Sequence, residues 1–152
     1  MSQAFVVIDT NRVLDLWLFD EPQMAALRHA IATGALRWRA TTAMRGELAR
    51  VLGYPAVLAQ LERRRRPAAQ VLAAFDQWSH PALAAPPAGV RCRDADDQGF
   101  VDLAVAWRAA LFSKDRAVIE LGRALAPLGV AVHAGDWPGH GGVPTLGASY
   151  QK

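Results

Sequence analysis

The sequence has little cysteine, little lysine and no long hydrophobic run. Cys92 is the single cysteine among 152 residues, which excludes an internal disulfide and fits a reducing compartment. Its longest apolar stretches, such as AFVVI and LAVAW, fall far short of the ~18 residues that suggest a membrane span. The opening residues MSQAFVVID resemble no signal peptide, because they carry no basic leader and the apolar run is short. We therefore expect a cytoplasmic protein with no membrane partner.

Two families of binding motif are also missing. No Gly-rich loop follows the first apolar run, which weakens any nucleotide-binding interpretation. The four histidines are scattered along the chain, and no Cys and His spacing indicates zinc. We expect these histidines to be surface or structural residues.

The basic residues are nearly all arginine. Seventeen Lys plus Arg oppose fourteen acids, for a formal charge of +3, and only Lys114 and Lys152 are lysine. This balance slightly favours a polyanionic partner. The preference is weak, because a high-GC genome encodes Arg-rich and Ala-rich proteins whatever their function.

Apolar runs alternate with helical patterns, which predicts an α/β fold. Residues 4–8 are continuously apolar, as in a parallel strand covered on both faces. Further strands are predicted at ALRWRA, around Val90, at ALFS and at GVAVH. A three-layer α/β/α arrangement around a parallel sheet is the natural assembly. We expect one domain over residues 1–134 and an irregular Gly/Pro-rich tail over residues 135–152.

Capping residues give the expected bounds of several helices. Asp20 is a candidate cap for a helix with Pro22 in its first turn and Gly34 at its end. Thr41 or Thr42 is expected to cap the next helix, which Gly53 and Pro55 stop. The other helices are predicted at 56–66, 67–78, 96–110 and 116–126.

Two aspartates follow predicted strands directly. Asp9 ends the first strand, and Asp115 stands two positions after ALFS. The carboxyl ends of parallel strands are where ligands bind in an open α/β sheet. Each aspartate could instead cap the helix that follows it, and for Asp115 alone capping is the better explanation.

Two further acids are expected to face the interior from helices. Glu47 lies three residues after Met44 and four before Val51, on or beside an apolar stripe. Asp97 lies three residues before Phe100 on a similar stripe. For Glu47, a salt bridge to an arginine or a position at the edge of the stripe remains an alternative.

Three other acids near Asp97 have simpler explanations. Asp94 and Asp96 are interpreted as a cap and a favourable charge at the start of a helix. Asp102 is expected to face solvent, since it lies two residues past Phe100.

Asp9, Glu47, Asp97 and Asp115 can meet if the first and fourth strands are neighbours. Crowded carboxylates raise one another's pKa unless a cation compensates them. All-oxygen ligands of this kind suit Mg²⁺ or Mn²⁺. The sequence therefore predicts a divalent-metal site at the sheet edge.

Four motifs resemble those of PIN-domain proteins, specifically the PIN-family toxins of bacterial toxin-antitoxin pairs. They are VVIDTN, TTAMRGELARVLGYP, CRDADDQGFVDLA and FSKDRAVIEL, in the family's order and on the expected elements over residues 4–133. Each motif alone is weak, but four in order are specific. The segment after His133 does not resemble a typical family ending.

The resemblance implies a metal-dependent nuclease that hydrolyses single-stranded RNA. Asp9, Glu47, Asp97 and Asp115 would be its catalytic and metal-binding acids, with Asp9 as the candidate bridge between two ions. Thr10, Asn11 and Ser113 would support metal or water. The expected partners are RNA, a cognate antitoxin protein and a second copy of the chain.

Two alternatives remain open at this point. A catalytically idle PIN-like module would bind RNA or a protein partner only, although the presence of all four acids argues against it.

The run Arg63 to Arg66 is better explained as a helix end than as an RNA track, and it could also dock an acidic antitoxin segment. The five tryptophans are expected to pack in the core.

Overall fold

A computed structural model describes residues 4–135 and Trp137 of the chain. The predicted tail of residues 135–152 therefore lies outside the described residues, except for Gly135 and Trp137. Within the described part, the strands are β1 (Ala4–Ile8), β2 (Leu36–Ala40), β3 (Ser79–Pro81), β4 (Ala110–Phe112) and β5 (Val132–His133). The helices are α1 (Thr10–Trp17), α2 (Ala25–Thr33), α3 (Thr42–Val51), α4 (Pro55–Arg63), α5 (Ala68–Trp78), α6 (Gln98–Trp107), α7 (Arg116–Ile119) and α8 (Gly122–Leu125).

The five strands form one parallel sheet with β1 at its centre. The strand order is β3-β2-β1-β4-β5, and every pair in it is parallel. Val6, Val7 and Ile8 of β1 are almost completely buried, as their continuous apolar pattern predicts. Because all strands run the same way, their carboxyl ends share one edge of the sheet.

Helices cover both faces of this sheet. On one face Trp38 of β2 stacks on Trp17 of α1, with ring centroids 5.0 Å apart, and meets Phe75 of α5 edge to face. On the other face Phe5 of β1 packs against Trp107 of α6 at 5.1 Å. The three-layer α/β/α prediction is confirmed. Of the five tryptophans expected in the core, Trp38 is buried there, and the other four are partly buried and pack against it.

Two helix caps are confirmed by the structure. Thr41 caps α3, since its Oγ1 accepts a hydrogen bond from the Met44 N–H at 3.2 Å. Gly34 ends α2 in the left-handed conformation, with φ 84°, which glycine adopts without steric cost.

The predicted strand around Val90 is wrong. The third strand is instead Ser79–Pro81, where the sequence pattern predicts no strand. The Val90 carbonyl instead accepts a hydrogen bond from Gln98 Nε2 at 2.9 Å, and Asp102 Oδ1 accepts from the same amide and from the Ala88 N–H. Asp102 is thus half-buried and holds the connection, rather than facing solvent as expected.

Three helix boundaries also differ from the prediction. Asp20 caps no helix, because it has a left-handed φ of 49° and a 3₁₀ turn, Pro22–Met24, precedes α2. The expected helix over 116–126 is divided into α7 and α8, with the poor helix former Gly122 at the break. Helix α6 ends at Trp107, because Arg108 takes a left-handed φ of 50°.

The basic run at residues 63–66 ends α4 and supports the chain beside it. Arg66 Nη1 donates to the Trp17 carbonyl at 2.8 Å, and Arg64 lies over the Phe19 ring. Arg66 also pairs with Asp20 at 3.1 Å. Arg64 and Arg66 thus donate to carbonyls at and after the end of α1, which favours the helix-end interpretation over an RNA track.

Within the part of the chain that the structure describes, no helix combines the length and the hydrophobicity of a membrane span.

Candidate metal centre

Asp9 lies where the two central strands end. Strands β1 and β4 are neighbours, as the site prediction requires, and the Asp9 N–H donates to the Phe112 carbonyl at 3.0 Å. Asp9 is 4% exposed, and its Oδ1 accepts from the Arg12 N–H at 2.9 Å. Asp9 therefore caps α1 and also stands at the carboxyl edge of the sheet.

Three aspartates form the tightest acidic group in the described part of the chain. Asp94, Asp97 and Asp115 each contribute one carboxylate oxygen, and these oxygens all lie within 4.8 Å of one another. Asp97 and Asp115 were predicted site residues, whereas Asp94 had been interpreted only as a cap. Asp94 does cap, since its Oδ1 accepts from the Asp96 N–H at 3.0 Å.

The sequence contained a signal for Asp94. A 3₁₀ turn, Ala95–Asp97, precedes α6 and begins at Asp94. Residues three apart stand above one another in a 3₁₀ turn, so Asp94 and Asp97 lie on one side. A prediction of 3₁₀ rather than α geometry at this point would have found the third acid.

One oxygen of Asp97 has no partner. Asp97 Oδ2 is buried and has no hydrogen-bond partner among the described residues. Burial, the nearby Asp115 side chain and the charges of Asp115, Asp94 and Asp9 raise the pKa of Asp97 to about 8. Without a cation, Asp97 therefore holds a proton at neutral pH.

Asp115 behaves in the opposite way. Its Oδ1 accepts from the Ala117 N–H at 2.8 Å, and this hydrogen bond is the main cause of its lowered pKa. Ser113 supports the same turn, because its fully buried Oγ accepts from the Asp115 N–H at 3.0 Å. The pair thus shares one proton, with the negative charge on Asp115 and the proton on Asp97.

Asp9 and Glu47 lie outside the tight group but within its electrostatic reach. Burial is the main cause of a raised pKa at half-buried Glu47, and the charges of Asp96 and Asp94 raise it further. The neighbouring Thr10 hydroxyl and the Arg50 charge act in the opposite direction and lower it. The Asp9 charge contributes to the raised pKa of Asp97. Of the predicted supporting residues, Thr10 and Ser113 are buried and Asn11 is exposed.

A buried ion network beside Asp9 was missed from the sequence. Arg12 and Asp15 are 4% and 3% exposed, and Arg12 Nη1 lies 2.9 Å from Asp15 Oδ2. Lys114 Nζ donates to the same oxygen at 2.8 Å, and Arg12 Nη2 donates to the Ala134 carbonyl. Arg12 and Asp15 stand three apart on α1, so their pairing could have been found. Lys114 is distant in sequence and could not.

This network affects the charge of Asp9. Burial raises the pKa of Asp9, and the Ser113 side chain and the Arg12 N–H oppose that rise. The positive charges of Arg12 and Lys114 oppose it further. The network therefore favours the ionised form of the Asp9 carboxylate and opposes the effect of burial on its pKa.

These donors fit a divalent cation. The tight group offers only carboxylate oxygens, which are the ligands that Mg²⁺ and Mn²⁺ prefer. The unpartnered Asp97 Oδ2 offers a ligand atom, and the raised pKa of Asp97 reflects burial and neighbouring carboxylates, which a cation would compensate. A cation would satisfy that oxygen and displace the shared proton.

A groove of about 560 Å³ opens beside the acids. Helix α3 forms one wall, and residues Ala84, Ala85, Ala95 and Gly99 contribute small side chains to its lining. Glu47 is the predicted site acid that lines this groove, and Asp96 lines it as well. A ligand in the groove would therefore lie beside Glu47.

The raised pKa of Asp97 predicts a pH-dependent stability of the metal-free protein. The pKa of Asp97 is about 8 in the folded protein, above its unfolded value. Protonated Asp97 therefore contributes to the free energy of unfolding in full below about pH 4, and this contribution is lost as pH rises through 8. Because Asp97 is only half-buried, we expect on the order of 1 kcal/mol, or about 2–4 °C in Tm. Thermal unfolding in EDTA between pH 5 and 9 measures this decline.

The Asp97→Asn variant is the control for that decline, since it has no proton to lose at this position. Its Tm should fall less steeply over the same pH range, and an identical slope in both proteins would contradict the assignment. Mg²⁺ should raise the Tm of the unmodified protein more at pH 8 than at pH 5, because protons compete with the ion.

Comparison with known families agrees with this geometry. Residues 5–117 match a family model described as PIN domain, which covers well over half of the chain. No curated protein matches the chain significantly. PIN domains are generally metal-dependent nucleases, and an acidic cluster that could bind a divalent ion is present here. The matched range includes all four predicted acids and the central strands, and the chain belongs to the PIN-domain family.

Proposed function

We propose that the chain is a metal-dependent endoribonuclease that hydrolyses phosphodiester bonds of single-stranded RNA, as the toxin of a toxin-antitoxin pair. One observation carries the metal-dependent part of this proposal. Asp97 Oδ2 is buried with no partner in the described part of the chain, and Asp97 belongs to a group of three carboxylates with oxygens within 4.8 Å of one another. Membership of a family that generally has nuclease activity supports the reaction class.

The acids have distinct roles in this proposal. Asp94, Asp97 and Asp115 would hold the ion, and Asp9 and Glu47 would complete the negative site, with Asp9 as the candidate bridge if two ions bind. A bound Mg²⁺ or Mn²⁺ would supply an activated water and neutralise charge on the leaving oxygen. Asp9 is suited to its role, because its N–H is bound to the Phe112 carbonyl of β4 and its side chain caps α1.

The polar residues around the acids orient them. Ser113 Oγ accepts a hydrogen bond from the Asp115 N–H, and the Ser113 side chain also neighbours Asp9. Ser113 therefore links two acids that follow adjacent strands. Thr10 neighbours Glu47 from the first turn of α1. The exposed Asn11 is assigned to water or substrate near the rim of the site.

Purified protein should cleave single-stranded RNA with Mg²⁺ or Mn²⁺ and lose this activity in EDTA. Expression should stop bacterial growth, whereas Asp9→Asn should be harmless at the same expression level, because the central carboxylate is neutralised. Co-expression of a cognate antitoxin should restore growth to cells that make the unmodified protein. Absence of RNA cleavage with either metal, together with equal harmlessness of both proteins, would favour an idle module.

A further inference from the structure

Three side chains from α3 and the turn that follows it line the groove. They are Glu47, Arg50 and Tyr54. Glu47 and Arg50 stand three residues apart on α3, so they lie on one helical face with ~5 Å between them along the axis. Tyr54 comes after α3 has ended and immediately precedes α4. The groove is therefore lined by a predicted site acid, a cation and an aromatic ring.

Within the described part of the chain, the side chains of Arg50 and Tyr54 form no hydrogen bond or ion pair. Tyr54 is 54% exposed, which is unusual for a large aromatic side chain lining a cavity. Arg50 is exposed, and no carboxylate of the described residues lies within 4 Å of its guanidinium. By contrast, Arg45 on the same helix is engaged with Asp76 at 2.7 Å. Arg50 is thus available to a ligand in the groove.

We propose that Arg50 and Tyr54 form a nucleotide subsite, in which Tyr54 stacks on an unpaired base and Arg50 binds the adjoining phosphate. This inference rests on the proposed ribonuclease function and names how that function selects its substrate. A ring and a cation in sequence along a groove are the means by which proteins hold single strands without reading base identity. The small side chains of the facing wall leave room for a planar base.

The subsite makes single-strandedness the property that is recognised. Stacking on Tyr54 requires the face of a base, and in a duplex both faces are covered by neighbouring base pairs. The guanidinium of Arg50 accounts for one phosphate contact. Selection therefore depends on an unpaired nucleotide next to the scissile bond, and only weakly on which base it carries.

The test measures RNA binding separately from cleavage. Fluorescein-labelled single-stranded RNA octamers are titrated in EDTA and followed by anisotropy, and cleavage of the same octamers is measured with Mn²⁺. Tyr54→Ala should weaken binding about five- to hundredfold and raise KM, with kcat nearly unchanged. Tyr54→Phe should retain binding within about twofold, since it keeps the ring. Loss of binding in both variants would overturn stacking.

Arg50→Gln tests the phosphate contact through salt dependence. The slope of log K against log salt should decrease by about 0.7, as expected for one phosphate contact on a single strand. Arg63→Gln removes an exposed cation outside the groove and should leave the slope unchanged. Equal slopes for Arg50→Gln and the unmodified protein would overturn the assignment of Arg50.

The outcomes separate this inference from the proposed function. If the unmodified protein cleaves RNA and Tyr54→Ala binds and cleaves equally well, the subsite is wrong and the ribonuclease function stands. A protein partner would then be the occupant that the groove fits. If the unmodified protein neither binds nor cleaves single-stranded RNA, the proposed function fails and the subsite fails with it.

Discussion

Asp97→Asn should lower the rate of RNA cleavage by at least about a hundredfold. Loss of groups that only support a metal ligand typically costs 10- to 100-fold, and Asp97 carries the one buried side-chain oxygen that lacks a partner among the described residues. Asparagine fills nearly the same volume, so the surrounding α6 and its 3₁₀ turn should remain folded. The measurement is the initial rate of octamer cleavage at saturating Mn²⁺.

Asp76→Asn provides the matched control for Asp97→Asn. Asp76 is about half-exposed on α5 and pairs only with Arg45 among the described residues. The cleavage rate of Asp76→Asn should therefore stay within about twofold of that of the unmodified protein.

The metal-free Tm of Asp97→Asn at pH 8 should equal or exceed that of the unmodified protein, because repulsion with Asp115 disappears. Full activity of Asp97→Asn would contradict its assignment as a metal ligand.

The sheet was predictable because its strands carry their own signal. Residues 4–8 are apolar without interruption, and such a run is stable only when both faces are covered. The strand Ser79–Pro81 has no such signal, since it is three residues long and contains proline. Its position depends on β2, where the Ala82 N–H donates to the Ala40 carbonyl and Arg39 donates to the Pro81 carbonyl. Pairing of this kind is a tertiary effect that local pattern does not contain.

The acids of the site were predictable to a similar extent. Helical spacing placed Glu47 and Asp97 beside apolar stripes, and the structure places both in half-buried positions near the sheet edge. Asp94 was missed because a cap explained it sufficiently, although one side chain can cap a turn and face a cation together. Lys114 was missed because its partner Asp15 lies on another element, and contacts between distant segments are not encoded in spacing.

Asp15→Ala should lower the free energy of unfolding by about 3–5 kcal/mol. The substitution removes the only carboxylate that pairs with Arg12 within the described residues, and the Arg12 side chain is just 5% exposed. An unpaired buried charge carries a desolvation penalty of this order, which is large against the 5–15 kcal/mol of a typical domain. Arg12 has little capacity to compensate, because its Nε is already buried and none of the residues that the structure describes accepts from it. Urea unfolding in EDTA measures the loss.

Two comparisons show whether burial is the cause of that loss. Asp76→Ala breaks an equally short ion pair whose side chains are 42% and 53% exposed, so it should cost at most about 1 kcal/mol. The double variant Arg12→Met with Asp15→Leu should recover much of the stability, because apolar residues of similar size can replace a buried pair. Equal costs for Asp15→Ala and Asp76→Ala would show that the Arg12–Asp15 pair is no more important to the fold than a surface contact. A double variant no more stable than Asp15→Ala would instead place the loss in the Arg12 contact with the Ala134 carbonyl, which joins α1 to the end of β5.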